Sequence, residues 1–257
     1  AAMALGRSWQ IGTALLAFTL ALPSPLFARG TDVVAATARI DAAPPASNQL
    51  SADALLDRLF AEDARQSLAL DPLGAIEQGQ RVSVKQFELL FTPELARKRR
   101  DANARTLDAL ARIDTARLDG EHRISRAVFA DTKRNEQSLL MPDVQALTAV
   151  QPFNHFGGFH IAYPELSAAG SGTALNTVAD YELLIARHRA LRHVFSQAIA
   201  RFREGMANGV TEPRLIVDNM IVQIDALLAQ PVNRSPFMVP ARQFPSDFAQ
   251  ADRTRLA

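Results

Sequence analysis

At 257 residues, 48% hydrophobic and 21% charged, the chain has the composition of a globular protein that can bury a core without covalent staples. Its 28 basic residues stand against 27 acidic ones, a net charge of +1 that excludes the one-sided basic footprint of a nucleic-acid binder. The lack of cysteine excludes disulfides, and also a lipoprotein anchor, which requires a cysteine at the processed N-terminus.

In chain order, Arg7 precedes an apolar run from Ile11 to Leu22, then Pro23, Pro25 and the small residue Ala28. A charged start, a short apolar stretch and a small residue at a cleavage point make up a secretory signal peptide, the reading given to residues 1–28. The run is too short to cross a bilayer, which takes about 20 apolar residues. The mature protein is therefore expected in the periplasm or outside the cell, with no membrane attachment after cleavage. Residues 29–50, rich in Ala, Pro, Asp and Ser with no period, read as a flexible linker.

From residue 51 onward the pattern is helical. Ser51 can cap a helix that turns Leu55, Leu59 and Phe60 to one side and stops near Asp71-Pro72, since proline cannot continue it. A short helix is expected from Ser83 to Phe91. Thr92-Pro93-Glu94 combines a cap, a proline at the first helical position and an acid in the first turn, and opens a helix to about Leu118. Within it, Arg97 to Arg100 form the basic run, read as a solvated face beside Glu94 and Asp101. Asp119 can cap the next helix, with Ile124, Val128 and Leu139 inward.

Residues 141–176 break the period with Pro142, Pro152, Gly157, Gly158, Pro164, Gly170 and Gly172, and read as one long glycine and aromatic loop. Phe153, Phe156, Phe159 and Tyr163 argue against disorder there. Thr177-Val-Ala-Asp180 resembles a capping box for the longest helix, with an inward stripe of Leu184, His188, Leu191, Phe195, Ile199 and Phe202, ended by Gly205 and Gly209. A helix from Glu212-Pro213 to Ala229 follows, with Ile216, Met220, Ile224 and Leu227 inward. Residues 231–245 read as extended and proline-rich. Ser246-Asp247 opens a last helix of barely two turns without a C-cap, so the lobe formed by residues 51–257 reads as cut at its C-terminal end. No strand alternation or internal repeat is present, and the fold class is all-α.

Chemistry is sparse in these residues. There is no HExxH, the helical zinc signature with its own base. His188 and His193, five residues apart, face about 140° from each other on a helix and cannot share an ion as an i,i+4 pair would. His188 on the inward stripe reads as a satisfied buried histidine, and His122 and His193 as surface residues. There is no G-x-S-x-G elbow, and Gly157-Gly158 follows no strand, which sets aside a serine nucleophile and a dinucleotide loop. His155 and His160 stand apart, in Asn154-His-Phe-Gly-Gly-Phe-His160, where glycines allow close backbone approach and amide and imidazole groups can orient a ligand.

Four stretches carry a resemblance. They are Asp71-Pro72-Leu-Gly74 with the helix ending Leu110-Ala-Arg-Ile-Asp114; Phe153 to His160 with Pro164-Glu-Leu166; Asp180-Tyr181 to Arg187; and Arg203-Glu-Gly205 to Arg214, with Gln223, Ser235-Pro-Phe237 and Phe244-Pro245. In this order the chain, from about Leu55 to its end, resembles the N-terminal half of the bacterial "domain of unknown function 885" family. That family is similar to helical zinc metallopeptidases of the carboxypeptidase and angiotensin-converting-enzyme type. The resemblance implies a zinc held by two histidines of an HExxH helix and a downstream Glu, with the motif Glu activating water. All of these lie beyond Ala257, so no catalytic or metal residue is carried onto this chain, and zinc belongs to the full-length fold.

The resemblance further implies that these residues form one wall of a deep cleft, with Asn154, His155, His160, Tyr181 and Arg187 facing substrate. Two positions depart from the family pattern: His188 stands where leucine is usual, and Arg192-His193 where proline is usual. The expected function is the N-terminal lobe of an exported zinc-dependent peptide hydrolase, inactive alone. Its expected partners are the C-terminal half of the same fold and a peptide substrate. The competing reading is an exported, non-catalytic helical binding or scaffold module.

Overall fold

Helix starts in this chain are set by short polar side chains, and in the computed structural model, which describes residues 50–168 and 172–257, most of the expected caps form. The expected signal peptide and nearly all of the linker lie outside the described residues. Ser51 accepts a hydrogen bond from the Ala54 amide and opens α1 (Ala52–Ala69). Pro72 is the first residue of α2 (Pro72–Glu77), and Ser83 forms a capping box with Gln86 at α3 (Val84–Phe87). Thr92 caps α4 (Pro93–Ala111), and Asp119 caps α5 (Gly120–Leu139). Short α6 (Pro142–Thr148) and α7 (Phe159–Leu166) follow. Thr177 and Asp180 cap each other's backbone at the start of α8 (Val178–Ala207). The series ends with α9 (Arg214–Leu228) and α10 (Gln250–Leu256). No strand occurs among the described residues, so the fold is all-α.

Several expectations are corrected. The helix opened by Thr92 stops at Ala111, and a 3-10 turn at Thr115–Arg117 bridges to α5. Residues 141–176 are not one loop but hold α6 and α7. Pro142 starts α6 and Pro164 sits inside α7, leaving only residues near 149–158 irregular toward the N-terminal side of α7. Residues 231–245 coil into three 3-10 turns instead of running extended, and the last helix begins at Gln250, four residues after Ser246. Gly205 does not end α8. It lies inside it, where a Cβ would meet the Val210 carbonyl oxygen at 2.6 Å and Val150 at 3.1 Å, and Gly209, at φ +75°, follows the helix end.

Three inward faces are also rotated from expectation. On α1 the buried residues are Ala52, Leu56 and Asp63, while Leu55 is exposed. On α5, Ile124, Val128 and Leu139 face outward, and Ala130 and Lys133 face inward beside Phe129. α5 thus covers α1 and α4 with a face that includes a charge, which hydrophobic periodicity does not detect. On α8 the buried line is Tyr181, Leu184, Arg187, Ala190, Val194, Ala198 and Gly205, with Ile199 exposed.

Apolar burial concentrates in three clusters. One joins Leu56, Leu110, Ile113 and Ala130 of the α1, α4, α5 layer. A second gathers Ile76, Phe87, Phe159, Tyr163 and Val194 where α2, α3, α7 and α8 meet. The third holds Leu175, Tyr181, Leu184 and Leu256 at the start of α8. Burial of this kind contributes about 25 cal/mol per Å² of apolar surface removed from water.

Candidate functional site

The loop that carries Asn154, His155 and His160 is fastened by one residue of α9. Gln223 donates from Nε2 to the His155 carbonyl at 3.0 Å, and its Oε1 lies 3.1 Å from His160 Nε2. Since Oε1 can only accept, His160 donates from Nε2. His160 is buried, and its ring lies 5.3 Å from that of Phe153. Asn154 accepts from the Phe156 amide at 2.9 Å and bends the loop outward. At the apex Phe156 is 81% exposed, with His155 tilted against its ring at 3.9 Å. The three polar candidates of this loop therefore form one group, and its outer edge is Asn154 with the His155–Phe156 pair.

Tyr181 belongs elsewhere. Its hydroxyl donates to the Gln243 carbonyl at 3.1 Å and its ring lies between Phe244 and Phe248, 4.9 and 5.4 Å away, so it closes the third core cluster. Arg187 forms the nucleus of another group. It is buried to 3% exposure, and no hydrogen bond or carboxylate meets it among the described residues. Burial holds its pKa below the usual guanidinium range, while the nearby Tyr163 acts the other way.

Tyr163 is buried with its hydroxyl unpartnered, and burial raises its pKa. His188 stands edge-on to the Tyr163 and Phe237 rings at 5.7 and 5.4 Å, with Nε2 buried and unpartnered. Burial, helped by the Arg187 charge, brings its pKa down to about 4, so it is neutral at pH 7. The satisfied histidine expected here is thus unsatisfied. Unpartnered buried groups are rare in native proteins and each calls for a reason. In the sequence Tyr163 reads only as an aromatic of the loop; α7 brings it back against α8, a proximity no local spacing encodes.

The sequence of most of this chain matches a known family. Residues 72–257 match the family described as "Bacterial protein of unknown function (DUF885)". The chain belongs to it. No curated protein and no solved structure matches. The match begins at Pro72, so within this DUF885 chain α1 precedes the matched segment, while α2 to α10, the Asn154–His160 loop and the Arg187 group lie inside it.

The zinc implied for the full-length fold finds no fitting set of ligands among the described residues. Among the described residues, Asp53, Asp119 and His122 are the group of carboxylates and imidazoles close enough to share an ion. Their atoms are already committed to folding. Asp53 Oδ1 accepts from the Asp119 amide at 3.2 Å, and Asp119 Oδ1 accepts from the His122 amide at 2.8 Å as the cap of α5. The His122 ring faces Asp119 at 2.9 Å and Asp57 at 3.4 Å. The close Asp119 carboxylate raises the pKa of His122, with Asp53 and Asp57 adding to it, so the residue expected to be a plain surface histidine sits within a cluster of acids.

Proposed function

We propose that this chain is the N-terminal helical lobe of an exported, zinc-dependent peptide hydrolase whose metal-binding HExxH helix lies on a second lobe outside these 257 residues. The observation that supports a two-lobed protein is α9. In fifteen residues it carries three charges, Arg214, Asp218 and Asp225. Its inner face, Ile216, Met220, Ile224 and Leu227, is at least half-buried, yet Leu215, Val217, Ile221, Val222 and Leu228 are exposed on its remaining sides. A helix apolar nearly all round belongs between two layers, and here one layer is present. Gln223 ties the Asn154–His160 loop to this same helix. In this reading the second lobe covers α9, and the peptide lies along the loop edge, with Asn154 and His155 nearest to it. The peptide-hydrolase part rests on the resemblance of the four stretches, and export rests on residues 1–28.

The test is expression of this chain alone and of the reading frame extended past Ala257. The extended protein should bind one zinc and cleave unstructured peptides, and the shorter one should do neither. In the extended protein, Ile221→Asp combined with Val222→Asp should open the lobe contact and expose α9 to hydrogen exchange. An extended protein that binds no zinc, or a chain whose α9 is equally protected alone, would overturn the reading in favour of a non-catalytic helical module. Loss of residues 1–28 from the protein recovered outside the cytoplasm checks the export step.

A further inference from the structure

A cleft of about 710 Å³ opens between the start of α4, α6 and the C-terminal half of α8. The size is that of small-molecule sites, and none of the five expected substrate-facing residues lines it. Two independent features mark this cleft.

The first is backbone strain. Phe91, in its wall, holds φ at +63°, a value found at no other non-glycine residue among those described. A bulky side chain in this region is strained, and such residues gather at functional sites. The neighbouring rings of Phe159 and Phe153, 5.5 and 6.0 Å away, hold Phe91 in place. That conformation leaves its side chain in the cleft wall directly before the Thr92 cap of α4.

The second is an unbalanced charge. Four arginines line the cleft against Asp71 and Glu204. Arg97 is matched by Asp101 at 3.2 Å, Arg99 by Asp71 at 3.6 Å, and Arg201 by Glu204 at 2.6 Å. Arg100 has no carboxylate partner among the described residues, only a long hydrogen bond of 3.4 Å to the Leu140 carbonyl. The N-terminus of α4, also in the wall, adds about half a positive charge. A neighbouring cleft of about 380 Å³ shares Asp71, Arg99 and Leu140 but has three carboxylates against two cations, so the positive bias is particular to the larger one.

We propose that this cleft binds a carboxylate carried on an apolar body. Arg100 takes the carboxylate with its two-pronged guanidinium, a geometry that favours this anion. Phe91, Leu90 and Pro152 hold the apolar part. The site is complete within this lobe and does not depend on the hydrolase reading.

Isothermal titration of the full chain with 4-phenylbutyrate, 4-phenylbutan-1-ol and 4-phenylbutylammonium tests the assignment. The butyrate should bind saturably, with the alcohol at least about ten-fold weaker and the ammonium weaker still. Arg100→Gln should bring the butyrate down to the level of the alcohol. Arg100→Lys, which keeps the charge but loses the fork, should recover only part of the affinity. Arg97→Gln, whose arginine is already matched by Asp101, should change affinity by less than about two-fold. Ala149→Trp should fill the cleft and abolish binding of both butyrate and alcohol at an unchanged melting temperature. No saturable binding, equal binding of alcohol and butyrate, or butyrate binding that survives Arg100→Gln or Ala149→Trp would each overturn the proposal.

Discussion

Lys133 and Arg187 are buried to almost the same degree, at 5% and 3% exposure, and their surroundings are opposite. The Lys133 ammonium lies 2.7 Å from both Asp63 and Glu136 and 5.5 Å from the centre of the Phe129 ring. Asp63 also accepts from the Thr106 hydroxyl at 2.9 Å, and Asn103 donates to the Lys133 carbonyl at 2.7 Å. Burial alone would lower the pKa of Lys133, but the two carboxylates outweigh it and the net shift is upward. Among the described residues no anion meets Arg187, and the Tyr163 hydroxyl and His188 Nε2 are unpartnered as well. The α1, α4, α5 layer has therefore paid for its buried charge internally, whereas the α7, α8 layer holds polar capacity in reserve. A matched buried pair is a structural device, and an unmatched cation marks where something else is expected to meet the protein.

The largest effect should come from breaking the matched side. Asp63→Ala leaves Lys133 with Glu136 alone and strands the Thr106 hydroxyl, and should cost about 3–5 kcal/mol in urea unfolding. Gln223→Leu, which removes both bonds to the Asn154–His160 loop, should cost about 2 kcal/mol and speed hydrogen exchange at His155 and Phe156. Arg187→Met should act in the opposite direction, raising stability by about 1 kcal/mol, because an unmatched buried cation is replaced by apolar volume. A destabilisation of Arg187→Met as large as that of Asp63→Ala would erase the contrast.

Smaller effects are read by pH. Folding lowers the pKa of His188 from 6.5 to about 4, so its contribution to stability is complete above 6.5 and is lost as pH falls through about 4. An NMR titration should find its ring neutral at pH 5.5, and Arg187→Met should raise its pKa by removing the adjacent positive charge. His122 has the opposite sign. Its raised pKa means that its contribution is complete below the ordinary 6.5 and fades as pH rises through the higher folded value. Asp119, lowered chiefly by the His122 amide, is lost only at acid pH. His122→Ala should therefore matter most in mildly acidic solution and least in alkaline, as melting curves across pH would record.

The sequence was legible where structure is local. Caps at Ser51, Thr92, Asp119 and Thr177 and the all-α class follow from side chains that bond their own turn. Helical period failed on α5, because Lys133 occupies an inward position made tolerable by Glu136 on its own helix together with Asp63, seventy residues earlier in the chain. Pro164 also misled. By residue type it reads as a break, but within α7 the buried Phe159 and Tyr163 hold the helix against the core. Of the candidate site, the loop was visible as composition, while Gln223 as its fastener and Tyr163 beside Arg187 depend on contacts between helices distant in sequence. Asn154, His155 and His160 share the loop that Gln223 fastens, while Tyr181 packs with Phe244 and Phe248, and Arg187 lies near Tyr163.

The burial of Lys133 also makes the protein a reporter of its own opening. Lys85, Lys98 and Lys133 are the lysines of this chain; Lys85 is exposed and Lys98 half-exposed. An amine-directed acylating reagent should modify those two within minutes and leave Lys133 untouched, since it is both enclosed and held protonated by its carboxylates. Any acyl group found on Lys133 would then time the moments when α5 lifts from α1 and α4, without a probe having to be engineered into the chain.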